Sequence, residues 1–283
     1  MCSALSWRSH EDGGGRSTST ELADVLSARN ATRSATVRGA VALFCWERRD
    51  TGEVIKSTSM PPAGYRFPRE VIAVAVRWYL RYGLSYRDVE ELLAERGIRV
   101  DHVTVYRWVQ TFTAEFIDAA RACRHAPGDK WFVDESYVKV ARCWRYLYRA
   151  VDQHGQVIDV LLCVRRDRAA ARMFLTRALR AGTAPVEVST DRAPAYPRVL
   201  DEVLPMARHI TDRYANNAIE ADHGRLKSRL RPMRGLKQMR SAGTIATGHA
   251  FVQNLRRGHY EFTADVPMLD RVRVAFDELA PCL

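Results

Sequence analysis

A chain of 283 residues, 47% of them hydrophobic, has room for one large domain and a small one. Its net charge of +11, supplied mostly by arginine, points to a polyanionic partner, with nucleic acid the leading class. There is no apolar run of membrane-span length, no apolar signal core, and no Cys-x-x-Cys pair among the six cysteines, which reads as a reduced, cytoplasmic protein without a zinc finger or disulfide framework.

Residues 1–59 are rich in Ser, Thr, Arg and Gly and show no sustained periodicity. Their one apolar patch, Ala40 to Trp46, is too short and isolated to build a core, so the segment is expected to be disordered. Met60 directly precedes the first organised sequence, and the segment could equally be an upstream extension from a wrongly chosen start.

Residues 60–125 read as three helices. Pro68 suits a first turn, and Val71, Ile72, Ala75, Val76, Tyr79 and Leu80 then recur at helical spacing. Ser85 and Asp88 suit the start of a second helix, with Val89, Leu92 and Leu93 inward and Gly97 at its end. Asp101 or His102 opens a third, with Val105, Val109, Phe112 and Phe116 on one face. The order is that of a helix-turn-helix, whose third helix would turn His102, Thr104, Arg107 and Thr111 outward toward base edges or phosphates. A plain three-helix bundle with Arg107 as a solvated charge fits the same pattern.

Ala126-Pro-Gly-Asp129 is a turn, and beyond it the period changes to that of strands. Trp131–Val140 and Trp144–Val151 should form a hairpin, followed by a third strand over Val157–Val164. Asp167 caps a helix that stops at Gly182; Val186–Thr190 is a short strand ending at Asp191, and Pro197–Leu204 a short helix. Helices follow from Asn217 and over about Ser241 to Arg257, and residues 263–283 are left as a C-terminal tail. Over residues 126–262, this is the order of an α/β, ribonuclease-H-like mixed sheet, in which the fourth strand returns parallel to the first and brings Asp191 beside Asp134.

Asp134 lies within the strand-forming run Trp131–Val140, where a buried carboxylate is unfavourable unless a cation compensates it. Asp191 and Glu220 are the other carboxylates that could converge on it. Three oxygen donors without a Cys or His set suit Mg²⁺ or Mn²⁺, and two such ions could activate an attacking water or 3′-hydroxyl and stabilise the leaving oxygen. Glu135 must point to the opposite sheet face and is read as a non-ligand. His223, at i+3 from Glu220, is read as a DNA contact or structural hydrogen bond, and Asp222 as a surface residue. Arg225, Lys227, Arg229, Arg231, Arg234, Lys237 and Arg240 form a basic run placed to hold phosphates. Trp108, Trp131 and Trp144 are assigned to the core.

Val133–Lys139, Trp144–Arg149, Ser189–Pro194 and Asn216–Lys227 resemble the motifs of DDE transposases of the bacterial insertion-sequence-six family, and Tyr65–Glu70 and Ser85–Glu91 resemble that family's helix-turn-helix region. The resemblance runs from about Met60 to Phe262. It implies that Asp134, Asp191 and Glu220 form the catalytic, metal-binding triad, and that Lys227 contacts transposon-end DNA. It further implies terminal inverted repeats and target DNA as partners, cleavage at the element ends with strand transfer of the 3′-hydroxyl, and a homodimer or larger assembly. One departure stands out: Asp191 and Glu220 are a handful of positions closer than is usual in this family. That gap leaves room for a catalytically inactive, transposase-derived DNA-binding protein, and a metal-dependent nuclease without strand transfer is a third reading.

Overall fold

The computed structural model describes residues 66–212, 217–231, 233 and 235–283. Residues 1–59, expected to be disordered or spurious, lie outside that range. Helix α1 (Arg69–Arg81) follows Pro68, which occupies its N-cap and not its first turn. Helix α2 (Tyr86–Ala94) is opened by a reciprocal capping box: Ser85 accepts from the Asp88 N–H, and Asp88 accepts from the Ser85 N–H. Gly97 (φ +75°) makes the turn to α3 (His102–Ala120), where Asp101 accepts from the N–H groups of Val103 and Thr104.

A sheet of five strands follows, β1 (Lys130–Val140), β2 (Cys143–Asp152), β3 (Val157–Cys163), β4 (Glu187–Thr190) and β5 (Arg208–Ile210), in the spatial order β3-β2-β1-β4-β5. The first three strands pair antiparallel, and β4 and β5 run parallel to β1. This is the ribonuclease-H-like arrangement expected from the element order. Strand β5 gave no sequence signal, because three residues, Arg-His-Ile, are too few to show an alternation. The β1–β2 turn is two residues, Ala141 and Arg142, both at positive φ, so the register starts at Val140 opposite Cys143.

Helices α4 (Arg168–Ala178) and α5 (Tyr196–Val203) cover one sheet face, burying Trp131, Val133 and Tyr148 with Phe174 and Val199. Helices α6 (Asn217–Leu230) and α7 (Met239–Arg257) cover the other, where Val138, Val140 and Leu147 meet Ile219, Leu226 and Ala246. The alternation along β1 therefore separates Glu135 from Asp134, as the strand period requires.

The C-terminal half of α7 turns its other side to the first three helices. Gly248 permits the approach to α1 and α3: a Cβ there would lie 2.6 Å from Leu80 Cδ2 and 3.0 Å from Thr113 Cγ2. The segment read as a tail contains α8 (Arg271–Leu279), whose Val272, Ala275, Phe276 and Leu279 enter the same core as Phe112 and Phe116. The helical layer is thus built from both ends of the described chain. No described helix is long and apolar enough to cross a membrane.

Candidate active site

Parallel pairing of Val133 with Thr190 makes Asp134 and Asp191 the next residues along neighbouring strands. Carboxylate oxygens of Asp134, Glu135 and Asp191 lie within 4.8 Å of one another. Glu135 belongs to the opposite face of β1 and both of its oxygens are engaged: the Arg166 guanidinium donates to one and the Tyr196 hydroxyl to the other. Arg166 reaches on to Asp191 Oδ2 at 3.0 Å, and the Ala193 N–H donates to the other Asp191 oxygen at 3.0 Å. Asp134 and Asp191 are 20% and 39% exposed, so both open to solvent.

Burial pushes the Asp134 carboxyl up to about 7; the like charges of Glu135 and Asp191 add to this, while a backbone hydrogen bond and Arg166 oppose it. Burial and the neighbouring Glu135 also hold the Tyr196 phenol well above its ordinary value, so it remains a donor. Arg166 is held above its ordinary value by Glu135 and Asp191 against a larger individual burial effect that lowers it. Arg166 is thus bonded to two of the three carboxylates, Glu135 and Asp191. The donors are hard oxygens, the set that suits a divalent cation such as Mg²⁺ or Mn²⁺.

Glu220, the third expected ligand, lies in α6, whose neighbouring turn packs against β1 and β2 through Ile219 and Leu226. His223, one turn further along that helix, is buried with Nδ1 3.5 Å from Asp134 Oδ2. Burial and the Arg149 cation lower its pKa to about 4, so it is neutral. A neutral ring inside the protein is a neighbour of the carboxylate and not an exposed DNA contact, which corrects one of the two readings given to His223.

Arg229 requires the same correction. It is buried, its guanidinium donates to the Tyr79 carbonyl and lies 4.9 Å from the Tyr79 ring centroid, and it ties α6 to α1. Asp222, read from sequence as a surface residue, is fully buried and pairs with Arg149 Nε at 2.7 Å and with Arg257. Lys227 and Arg225 remain exposed on α6. On α3, Arg107 is exposed, Thr104 donates to Asp101 Oδ2 at 2.8 Å, and the His102 ring is 3.0 Å from Glu90. Trp144 is 60% exposed with Lys139 over its ring, whereas Trp108 and Trp131 are core as expected.

Arg149, Arg166 and Tyr196 escaped the sequence reading. Arg149 was recoverable: with a two-residue hairpin turn, counting back from Val140–Cys143 places it opposite Asp134. Arg166 and Tyr196 precede or open helices across two connections, and nothing local marks them.

A family model described as a DDE domain, of the IS240 transposase type, matches residues 128–259. The transposase for insertion sequence-like element IS431mec of Staphylococcus aureus is 40% identical over 169 residues, spanning 58% of this chain and 75% of that protein. The transposase for insertion sequence element IS257 in transposon Tn4003, also of Staphylococcus aureus, matches at the same identity and coverage. Among solved structures, the HTLV-2 integrase catalytic core domain in complex with magnesium (dimeric form) is 18% identical with a TM-score of 0.38, over 48% of this chain and 96% of that one.

Proposed function

Because the chain belongs to the DDE transposases of the insertion-sequence-six family, we propose that it cuts DNA at the ends of its element and joins the freed 3′-hydroxyls to target DNA. The observation that carries this reading is the side-by-side placement of Asp134, within β1, and Asp191, just past the end of the parallel strand β4, with Arg166 as the guanidinium bonded to Asp191 and Glu135. Asp134, Asp191 and Glu220 would hold two Mg²⁺ or Mn²⁺ ions, which when bound supply Lewis-acid activation of the attacking oxygen and charge neutralisation at the leaving oxygen.

The chain's own residues contribute position and charge. Arg166 and the Ala193 N–H fix the Asp191 carboxylate. Tyr196 and Arg166 together anchor Glu135, which keeps that side chain out of the ligand set. Neutral His223 abuts Asp134 from α6 without offering a positive charge of its own. In the first step water adds to phosphorus at the element end and the P–O3′ bond breaks, leaving a 3′-hydroxyl after protonation. In the second, that hydroxyl attacks a target phosphodiester, and the displaced target 3′-oxygen takes up a proton.

Helices α2 and α3 form the helix-turn-helix that engages the terminal inverted repeats, with Arg107, Thr104 and His102 at its exposed side and with Lys227 and Arg225 holding end DNA near the carboxylates. Two ends must be held together, so the working form is a dimer or larger assembly. Incubation with labelled inverted-repeat DNA, a target plasmid and Mg²⁺ or Mn²⁺ tests the reading. Joined products are expected. Cleavage without joining would leave a nuclease, and binding alone would leave a DNA-binding derivative.

A further inference from the structure

Helices α4 and α5 enclose a cleft of about 620 Å³ on the sheet face opposite α6. Five arginines line it, Arg168, Arg172, Arg177, Arg180 and Arg198, and Glu202 is the one carboxylate among its lining residues. Glu202 pairs with both Arg172 and Arg198, and Arg177 pairs with Asp159 behind the cleft. Five positive charges against two negative ones leave a local excess of three. The pairs to Glu202 hold two planar guanidiniums side by side, a preorganised arrangement for phosphate oxygens. Arg168 and Arg180 stand outside these pairs.

One end of the cleft is close along the chain to residues that bond the carboxylates. Arg168 is two residues beyond Arg166, which bonds to Asp191, and Tyr196 at the head of α5 donates to Glu135. From Arg168 through α4 to Arg180, in the short 3-10 turn that follows it, the chain rises roughly 18 Å, about five base-pair steps along a duplex axis.

We propose that this cleft receives the backbone of the target duplex. The inference rests on the transposase reading above, in which two DNA molecules must meet at one set of carboxylates. The exposed cations of α6, Lys227 and Arg225, lie on the other sheet face, so the fold offers two basic surfaces for two duplexes. What decides between end and target is the kind of contact available. The cleft presents guanidiniums and the Thr176 hydroxyl, groups that bind phosphate oxygens, along a groove between two helices and not on a helix end that enters a base groove, and a target must be accepted with few sequence demands.

The test uses the full chain carrying Arg168→Gln and Arg180→Gln together, with thermal unfolding as a folding control. Binding to a duplex lacking the inverted repeat is measured against salt. Affinity is expected to fall about tenfold, and the slope of log affinity against log salt to shrink by about 2, since each phosphate contact contributes roughly 0.9. The ratio of joined to cleaved products should fall by a similar factor. An Arg168→Lys, Arg180→Lys chain, which keeps the charge, should keep the slope; if the double glutamine chain does not fold, the single Arg168→Gln and Arg180→Gln chains, each expected to lose about 0.9 of slope, take its place. An unchanged slope overturns the proposal, as does an equal loss of cleavage and joining, which would put end DNA in the cleft. A wild-type chain that neither cleaves nor joins defeats the transposase reading, while the salt slopes still decide whether the cleft holds DNA.

Discussion

Two groups of buried charge lie side by side under α6 on one face of β1 and β2, and they are solved in opposite ways. Around Asp222 the protein supplies its own counterions: Arg149 and Asp222 are both 0% exposed, they pair at 2.7 Å, and Arg257 adds a second cation. Burial alone would raise the Asp222 pKa, but Arg149 and Arg257 more than reverse this and hold it below the ordinary carboxylate range. Around Asp134 the protein gathers acids, and the carboxyl is pushed up to about 7. Cross-strand pairing puts Arg149 opposite Asp134, yet its ion pair is made to Asp222. The first group holds α6 to the sheet. The second is left short of positive charge, as a cation-binding site must be.

The largest effect that can break this comparison is at Asp134. Replacement by Asn should reduce end cleavage about a thousandfold, on the order of 4 kcal/mol of barrier, while leaving the unfolding free energy in metal-free buffer unchanged or higher. Retained cleavage would remove Asp134 from the chemistry. The next effect runs the other way. Asp222→Asn strands a buried guanidinium and should lower unfolding free energy by about 3–5 kcal/mol, measured by denaturant titration, whereas Arg149→Met combined with Asp222→Leu should restore most of it. If the single and double replacements were equally harmful, the pair would not be acting as a compensated unit.

Metal addition separates the two groups further. Mg²⁺ or Mn²⁺ at about a hundred times its dissociation constant should stabilise the folded chain by about 2.7 kcal/mol, read as a rise in the unfolding midpoint. The rise should disappear in Asp134→Asn. A rise that survived that change would locate the ion elsewhere.

What could be read in the sequence follows the range of the physical signal. Strand period and turn chemistry carried the sheet order, and with it the pairing of Asp134 with Asp191, because β1 and β4 are each bounded by recognisable turns. The same period separated Glu135 from Asp134, but could not foresee that Arg166 and Tyr196 would engage both Glu135 oxygens. Helical spacing on α6 left His223 open between a DNA contact and a structural hydrogen bond, and failed for Asp222 and Arg229, whose polarity suggested solvent. Their partners, Arg149, Asp134 and Tyr79, come from distant elements, and only tertiary packing reveals them. Helix α8 was missed for a related reason: its four inward residues gain a core only when α1, α3 and α7 are assembled.

The smallest expected effect is the dependence of stability on pH, and there the two groups pull in opposite directions. His249, beside the Arg149–Asp222 pair, is lowered to about 3 by burial, with the Arg149 cation adding to the shift. A base whose folded pKa lies below its unfolded value of about 6.5 takes up a proton on unfolding, so its stabilisation is full above 6.5 and declines as pH falls toward 3. Asp134 behaves inversely. Its folded pKa of about 7 exceeds its unfolded value, so the folded state holds the proton between about 4 and 7, and stability rises as pH falls through that window. Between pH 6.5 and 5 each of the two contributes up to about 2 kcal/mol with opposite sign, alongside His223 and His259, which act as His249 does, and Glu115, which acts as Asp134 does. Unfolding titrations at the two pH values resolve the halves: relative to wild type, Asp134→Asn should be more acid-labile and His249→Gln less acid-labile. Parallel slopes in both variants would mean that the two groups do not differ in their charge balance, and the contrast between a compensated pair and an uncompensated site would fall.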